Sequence, residues 1–315
     1  MFAFPQRGIA RSVEAHNVDL DVLSDWIEGS VLFIYENGEA VAKANIVDSL
    51  CDAQIYERQA FAWEIVSDSW GELRRRRASM GDTYPLQLGA DTVERLVDWR
   101  QVPAHSFCLT LSFAKWYPEW ARGFGSDFRE QGELFELMTR EALEALFQGW
   151  KFHLTGWSRT HRKKLGKVVA EVAGLLSESV GKVEQWTKPT ANEAGLDLLC
   201  YRPFLDGRVG VPVYLLQCAS GGNWQDKLHT PNLDIWMKIV QFAAKPRKAF
   251  ATPFPFLDHD FVMNCNLVNG LLLDRYRLLS AGAANPNWLS VGLAQRMIAW
   301  MEPRIAALPR ATQVL

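Results

Sequence analysis

The sequence predicts an α/β protein in which a mixed sheet flanked by helices follows a mostly helical N-terminal domain. Apolar residues recur at helical spacing over residues 19–80. From residue 130 onward, stretches with helical spacing alternate with short apolar runs of strand length, which is typical of helices packed on a sheet. A stretch rich in Pro, Gly and Ser at 117–127 separates these regions. We therefore predict an N-terminal domain over 1–127 and a second domain over 128–315.

The elements of the second domain can be assigned from the period of the apolar residues. A helix is predicted from Glu130 to Gly149, followed by a strand. A helical insertion at about 160–185 comes next, and then two short apolar runs that read as the strands of a hairpin. The remaining elements are a helix, two strands and a closing C-terminal helix. The predicted ranges after the first helix are 150–155, 165–180, 197–201, 213–217, 231–242, 248–252, 267–279 and 286–308.

The N-terminal domain, with Trp63, Trp70 and Trp99, is predicted to carry recognition or docking surfaces on its helices. Within it, Tyr84–Leu88 and Ser106–Phe113 are rich in β-favouring and aromatic residues and predict a small sheet or a cap made of a helix and a strand. The run of four arginines at 74–77 stands at the end of a predicted helix. Positive charge there complements the carbonyl end of the helix dipole, so a capping role is favoured over phosphate contact.

Composition excludes several classes of protein. The chain has 315 residues, a formal net charge of −2 and a pI near 6.3, which argues against coating of nucleic acid by bulk charge. Its five cysteines form no CxxC pair, and neither GxxxxGK[ST] nor GxGxxG occurs, so zinc knuckles and common nucleotide-binding loops are not predicted. No window approaches the roughly 18 consecutive apolar residues of a membrane span. We expect a cytoplasmic protein without a membrane partner.

Two polar residues stand at one predicted edge of the sheet. Asp197 begins the first strand of the hairpin and Gln217 ends the second. Because hairpin strands are antiparallel, the start of one and the end of the other lie together, so a metal ion could lie between these side chains. Hydrolysis of a phosphodiester with a divalent cation requires oxygen ligands of this kind. The order of elements therefore indicates a metal-dependent hydrolytic site.

These residues lie in segments that resemble the Mrr-type branch of the PD-(D/E)XK nuclease superfamily. The segments are Gly-Glu-Leu-Phe-Glu136, a strand ending Thr-Gly156, Gly-Leu-Asp197 and Leu-Leu-Gln-Cys218, and the resemblance covers roughly residues 130–250. It implies a restriction-endonuclease-like fold with Mg²⁺ or Mn²⁺ bound by Glu136, Asp197 and Gln217. Glu133, three positions earlier on the same helix face, is a further candidate ligand.

The sequence departs from this pattern at one position. The family's lysine, two residues after Gln217, is replaced by Ala219. Lys227 is predicted to supply the missing cation, because a long side chain from an adjacent loop can reach the same point. Lys238 and Lys188 are the alternatives.

Two further features near Asp197 and Gln217 are candidates for ligand contact. Glu193 is a candidate metal ligand or an outer-shell acceptor. The glycines of Ser220-Gly-Gly-Asn-Trp224 allow close backbone approach, so this turn either binds a phosphate or is a tight turn without a ligand.

The functional expectation is a Mg²⁺-dependent endonuclease that cleaves DNA rather than RNA, with Glu136, Asp197, Gln217 and Lys227 as its catalytic residues. The resemblance implies restriction or anti-phage defence beside an ATPase or sensor partner, and duplex cleavage suggests a homodimer. The alternative is a nuclease-fold subunit that has lost catalysis and binds nucleic acid or scaffolds a defence complex. Histidine-based acid–base chemistry is less favoured, because no HxxxH or HxH spacing occurs among its candidates, His153, His161, His229 and His259.

Overall fold

Helices and short strands alternate along residues 1–9, 18–124, 128–155, 164–186 and 194–311, the parts of the chain that the computed structural model describes. The helices are α1 Leu20–Ile34, α2 Lys43–Asp52, α3 Gln59–Met80, α4 Pro103–Trp116, α5 Pro118–Arg122, α6 Phe128–Leu146, α7 Leu165–Leu176, α8 Val183–Trp186, α9 Leu233–Ile239, α10 Asp258–Val268, α11 Arg275–Leu279, α12 Ala281–Ala284 and α13 Val291–Ala306. The strands are β1 Ala40–Ala42, β2 Leu86–Leu88, β3 Thr92–Arg95, β4 Lys151–Leu154, β5 Ser179–Val180, β6 Leu198–Tyr201, β7 Val213–Cys218, β8 Val240–Gln241, β9 Arg247–Ala251 and β10 Leu271–Leu273.

The chain divides into two units. The first unit comprises Met1–Ser126, Pro253–Leu257 and Arg275–Leu315, and the second comprises Asp127–Thr252 and Asp258–Asp274. The first division falls close to the predicted boundary after residue 127. The C-terminal helix differs from the prediction, which placed it in the domain 128–315, because α13 packs against α4 of the first unit. The apolar stripe of a helix shows that it must pack on a core, but not on which one.

The first unit is mostly helical, as predicted. Helices α1, α3 and α4 pack around one another, and a small antiparallel sheet with the order β1-β3-β2 accompanies them. Of the two arrangements predicted for these segments, a helix with a strand is the one observed, since Leu86–Leu88 form β2 and Ser106–Phe113 lie within α4. Every residue from Ala104 to Phe113 is buried. A segment that is buried on all sides has no period that distinguishes a helix from a strand.

The second unit is built on a mixed sheet of five strands with the order β10-β9-β7-β6-β4. Strand β6 pairs antiparallel with both β4 and β7. Strand β9 pairs parallel with both β7 and β10. The predicted hairpin of β6 and β7 is confirmed, with Leu198 opposite Leu216. A separate two-stranded ladder joins β5 to β8. The coarse prediction of an α/β fold with a mixed sheet and flanking helices is thus confirmed.

Helices cover the sheet of the second unit. Helix α7 packs against β5 and β8, and its buried residues share a hydrophobic core with Leu199, Leu215 and Trp236. Helix α6 packs against β4 and β7, and α10 packs against β9 and β10. This packing fixes α6 beside the strands that carry Asp197 and Gln217. Within the described residues, no helix has both the length and the apolar composition that crossing a membrane requires.

Candidate functional site

The backbone of Asp197 is held between two strands. Its N–H donates to the carbonyl of Leu216 on β7 at 2.9 Å, and its carbonyl accepts from the N–H of Thr155, next to β4, at 2.8 Å. The hydroxyl of Thr155 also donates to the carbonyl of Leu196 at 2.7 Å. The antiparallel register ends with Leu198 opposite Leu216, and the side chains of the adjacent Asp197 and Gln217 hydrogen-bond to each other. The two residues that the sequence predicted to lie together are brought together.

Gly195 allows the chain to approach this edge closely. Its φ of +67° lies in the left-handed region. A Cβ atom here would lie 2.7 Å from Cβ of Thr230 and 3.2 Å from Oε1 of Gln217, so a side chain would displace both. The indole of Trp236 on α9 donates to the preceding carbonyl, of Ala194, at 3.1 Å. The glycine of the Gly-Leu-Asp motif is therefore required by both conformation and contact.

A buried polar cluster forms around the carboxylate of Asp197. This residue is 5% exposed and Gln217 is 6% exposed. Oδ2 of Asp197 accepts from the backbone N–H of Cys218 at 2.7 Å and from Nε2 of Gln217. The same Nε2 donates to the carbonyl of Cys218 at 3.0 Å. Two oxygens, one of a carboxylate and one of the backbone, therefore lie against the same amide nitrogen of Gln217.

The orientation of the Gln217 amide differs from that of a metal ligand. Its nitrogen faces Asp197, whereas its oxygen accepts from the hydroxyl of Thr230 at 3.2 Å. This hydroxyl lies closer to the carbonyl of Lys227, at 2.7 Å. Thr230 was not predicted, because its contact with Gln217 depends on the turn before α9 and has no sequence signature.

The predicted residues line one open cleft of about 600 Å³. Glu136 and Glu133, both half-buried on α6, share its lining with Asp197, Gln217 and Lys227.

Burial raises the pKa of the Cys218 thiol well above its ordinary value, and the nearby charges of Asp197 and Glu136 raise it further. Both effects disfavour the thiolate that a nucleophilic cysteine would need.

Polar groups that the sequence did not predict complete the lining of the cleft. Arg129, exposed near the start of α6, is one, and Gln131 is another. Nε2 of Gln131 donates to the carbonyl of Ser220 at 2.9 Å, which ties α6 to the loop after β7. Ser220 and both glycines of this loop line the cleft as well. The packing of α6 against β7 places this loop, Arg129 and Gln131 beside the acidic residues.

The candidate cations have different locations. Lys227 ends a 3₁₀ turn, is exposed and lines the cleft. Lys238 instead stacks on Trp186, with Nζ 3.8 Å from the ring centre, and does not line the cleft. Ala219 is buried, and its N–H donates to the carbonyl of Ala251 at 2.9 Å. Lys188 and Glu193 lie outside the described residues.

The remaining histidine candidates are dispersed. His153 pairs with Glu171 at 3.1 Å on the outer strand β4, and His259 is exposed beside Asp260 at 3.5 Å. In the described parts of the chain, no group of three or more His, Cys, Asp or Glu residues is arranged to hold a metal ion. Any cation at Asp197 would therefore depend on oxygens of other kinds.

Comparisons with protein-family models, with curated proteins and with solved structures found no match to this chain. The geometry of the cleft is therefore the basis for a functional assignment.

Proposed function

We propose that the second unit is a metal-dependent nuclease that cleaves phosphodiester bonds, with DNA as its substrate and a role in restriction or anti-phage defence. The observation that carries the proposal is the convergence of the Asp197 carboxylate and the Cys218 carbonyl on the side-chain amide of Gln217, in an open cleft that also contains Glu136. Chain order supports it too, since these acids and Gln217 occupy α6, the start of β6 and the end of β7. The PD-(D/E)XK pattern requires that order.

The oxygen atoms of the cleft suit Mg²⁺ or Mn²⁺. Mg²⁺ keeps several waters and binds proteins through one or two carboxylates together with the phosphates of its substrate. Asp197 and Glu136 supply two carboxylates, and the Cys218 carbonyl supplies a neutral oxygen. A set of three acidic ligands is therefore not needed for this ion.

Gln217 could join the ligands only if its amide turned over. Its oxygen would then face Asp197, and its nitrogen would face Thr230. The hydroxyl of Thr230 can accept from that nitrogen, because its single proton can be donated to the Lys227 carbonyl at 2.7 Å. In the turned orientation the nitrogen keeps a hydrogen-bond partner, whereas the oxygen faces the acceptor oxygens of Asp197 and Cys218, so this orientation needs a cation among the three oxygens.

A divalent cation bound by the Asp197 carboxylate and the Cys218 carbonyl would polarise a phosphoryl oxygen and lower the pKa of a bound water. The chain's own residues would position the substrate. Lys227 and Arg129 place positive charge in the cleft, where each can contact a phosphate. The backbone amides of Gly221 and Gly222 are unobstructed by side chains and can approach the same group.

Asp197→Asn tests the proposal, because it removes the charge and keeps the shape. We expect Mg²⁺- or Mn²⁺-dependent cleavage of duplex DNA by the full chain. In the variant, cleavage should fall by more than about 100-fold, since changes to outer-shell residues alone cost 10–100-fold. The control is Asp206→Asn in the loop between β6 and β7, an exposed position outside the cleft. Cleavage that persists unchanged in Asp197→Asn would refute the assignment of the site. Cleavage of RNA but not of DNA would refute the assignment of the substrate.

A second candidate function rests on Ala219. The buried alanine at the family's lysine position favours a nuclease fold that binds DNA without cutting it. In that case the full chain would bind duplex DNA in a gel-shift assay. Neither the wild type nor Asp197→Asn would cleave that DNA in the presence of Mg²⁺ or Mn²⁺. Cleavage that appears only in Ala219→Lys would support this second candidate.

A further inference from the structure

A buried lysine lies on the strand beside the hairpin of the site. Lys248, on β9, is 8% exposed and pairs with Leu215 of β7. Its Nζ donates to the carbonyl of Leu228 at 2.8 Å. Burial lowers the pKa of its ammonium, and in the described parts of the chain no carboxylate forms an ion pair with it. Because lysine is seldom buried without a partner, the Leu228 carbonyl is the contact that accounts for its position.

The carbonyl that accepts from Lys248 belongs to the loop between β7 and α9, residues 219–232, which we call the β7–α9 loop. Lys227 of this loop lines the cleft. The N–H and the hydroxyl of Thr230 donate to the Lys227 carbonyl, at 2.9 Å and 2.7 Å. Leu228 therefore lies inside a turn that these two hydrogen bonds close. A contact that fixes Leu228 also fixes the backbone of Lys227.

Three contacts hold the β7–α9 loop against one face of the sheet. Trp224 packs on Phe250 of β9, with ring centroids 6.4 Å apart. The hydroxyl of Thr230 donates to Oε1 of Gln217 at 3.2 Å. Lys248 makes the third contact. It shares a sheet face with Phe250 and Gln217, because these two residues pair and side chains alternate along β9. Its hydrogen bond involves a charge, and such bonds are roughly twice as strong as neutral ones.

We propose that Lys248 is a positioning residue of the cleft, which fixes the turn carrying Lys227 by donating to the Leu228 carbonyl. Lys248 is not among the described residues that line the cleft, so it acts through the loop rather than on a substrate. Without its ammonium, the turn would be held by neutral contacts alone. The effect on cleavage rests on the proposed nuclease function, whereas the hold on the loop can be measured without any substrate.

Hydrogen exchange of the full chain, measured by mass spectrometry, tests the hold on the loop. Lys248→Met removes the ammonium and keeps an apolar stem. We expect exchange in residues 224–230 to quicken by about tenfold, since the lost hydrogen bond involves a charged group, while exchange in β7 stays unchanged. Lys245→Met, at an exposed position before β9, is the matched control and should leave both segments unchanged. Lys248→Arg keeps a cationic donor and should quicken the loop by less than Lys248→Met does.

Three results of this measurement would overturn the proposal. The first is unchanged exchange of the loop in Lys248→Met. The second is faster exchange throughout the second unit, because Lys248 would then support the whole fold rather than this loop. The third is equal exchange in Lys248→Arg and Lys248→Met, which would assign the effect to lost packing.

A double-mutant cycle tests the route through Lys227. We expect Lys227→Met and Lys248→Met each to lower Mn²⁺-dependent cleavage of duplex DNA. The double variant should lose less than the product of the two separate losses, because both substitutions act on the same contact. Losses that multiply would show two independent roles and overturn the route through Lys227. If the wild type cleaves no DNA, the proposed function fails, and the exchange measurement still decides whether Lys248 holds the loop.

Discussion

Buried carboxylates occur in both units, but their partners differ in charge. In the first unit, Asp25 accepts from Arg76 at 2.8 Å and from Arg275 at 2.9 Å, and all three are at most 1% exposed. In the second unit, Oδ2 of Asp197 accepts from the neutral amide of Gln217 and from a backbone N–H.

The difference indicates different roles. Two guanidinium groups enclosed with their acids form a closed network, in which each charge is compensated inside the protein. Neutral donors instead hold Oδ2 of Asp197, at the edge of an open cleft. The first arrangement is structural, whereas the second is the site that we propose for a cation. Four predictions test this contrast.

Replacing a guanidinium of the closed network should have the largest effect. Arg76→Met removes a partner of Asp25, Glu28 and Glu72 and leaves buried charges unpaired. We expect the free energy of unfolding to fall by about 3–5 kcal/mol, measured by urea denaturation. The exposed neighbour provides the control, because Arg77→Met should change stability by less than about 0.5 kcal/mol. Equal effects of the two substitutions would contradict the structural role.

Acid should weaken the same network. Burial alone would raise the pKa of Glu28, but the adjacent His105, Arg76 and Arg275 lower it to about 2, below its ordinary value of 4.5. The folded state thus has the lower pKa, so ionised Glu28 stabilises the fold above pH 4.5, and this contribution is lost as the pH falls towards 2.

The wild type and Glu28→Gln should therefore become more alike in stability as the pH falls. The difference between their free energies of unfolding should shrink by about 3 kcal/mol over this range. Denaturation curves at successive pH values measure the difference. The exposed substitution Glu36→Gln serves as the control, and a gap that stays constant with pH would rule the mechanism out.

A side chain at Gly195 should disturb the open site. Gly195→Ala combines a left-handed φ with a contact of 2.7 Å to Thr230, whereas Gly207→Ala has a φ of +63° and open space around the new Cβ. We expect a loss of about 1 kcal/mol for Gly207→Ala from conformation alone. Gly195→Ala should lose roughly 1–3 kcal/mol more because of the contact. Thermal denaturation measures both, and equal losses would show that the approach of Thr230 does not constrain this loop.

A second carboxylate should make the open site depend more strongly on cations. Gln217→Glu places a negative charge against Asp197, which should destabilise the metal-free protein by about 1–2 kcal/mol. Mn²⁺ should then raise the Tm of the variant by more than it raises that of the wild type, since a ligand stabilises the state that binds it. Gln225→Glu, exposed and outside the cleft, is the control. An identical response to Mn²⁺ in all three proteins would argue against a cation site.

Local sequence patterns were sufficient to predict the strands that form the site. The hairpin was predictable because Asp197–Tyr201 and Val213–Gln217 are short apolar runs around a connector containing Pro and Gly. Antiparallel pairing then determined that Asp197 and Gln217 lie together. By contrast, the pattern of Ser106–Phe113 did not distinguish a strand from the helix α4, because a helix that is buried on all sides has no amphipathic period.

What the sequence determined by itself was the mixed sheet, the first helix of the second unit and the pairing of Asp197 with Gln217, because these depend on period and strand direction. The tertiary structure alone decided that Arg76 is buried among Asp25, Glu28 and Glu72, although the sequence favoured a helix cap at the arginine run. It also decided that the Thr230 hydroxyl donates to the Gln217 amide and that α13 packs in the first unit. Contacts between distant segments depend on how helices pack, and that packing leaves no local period in the sequence.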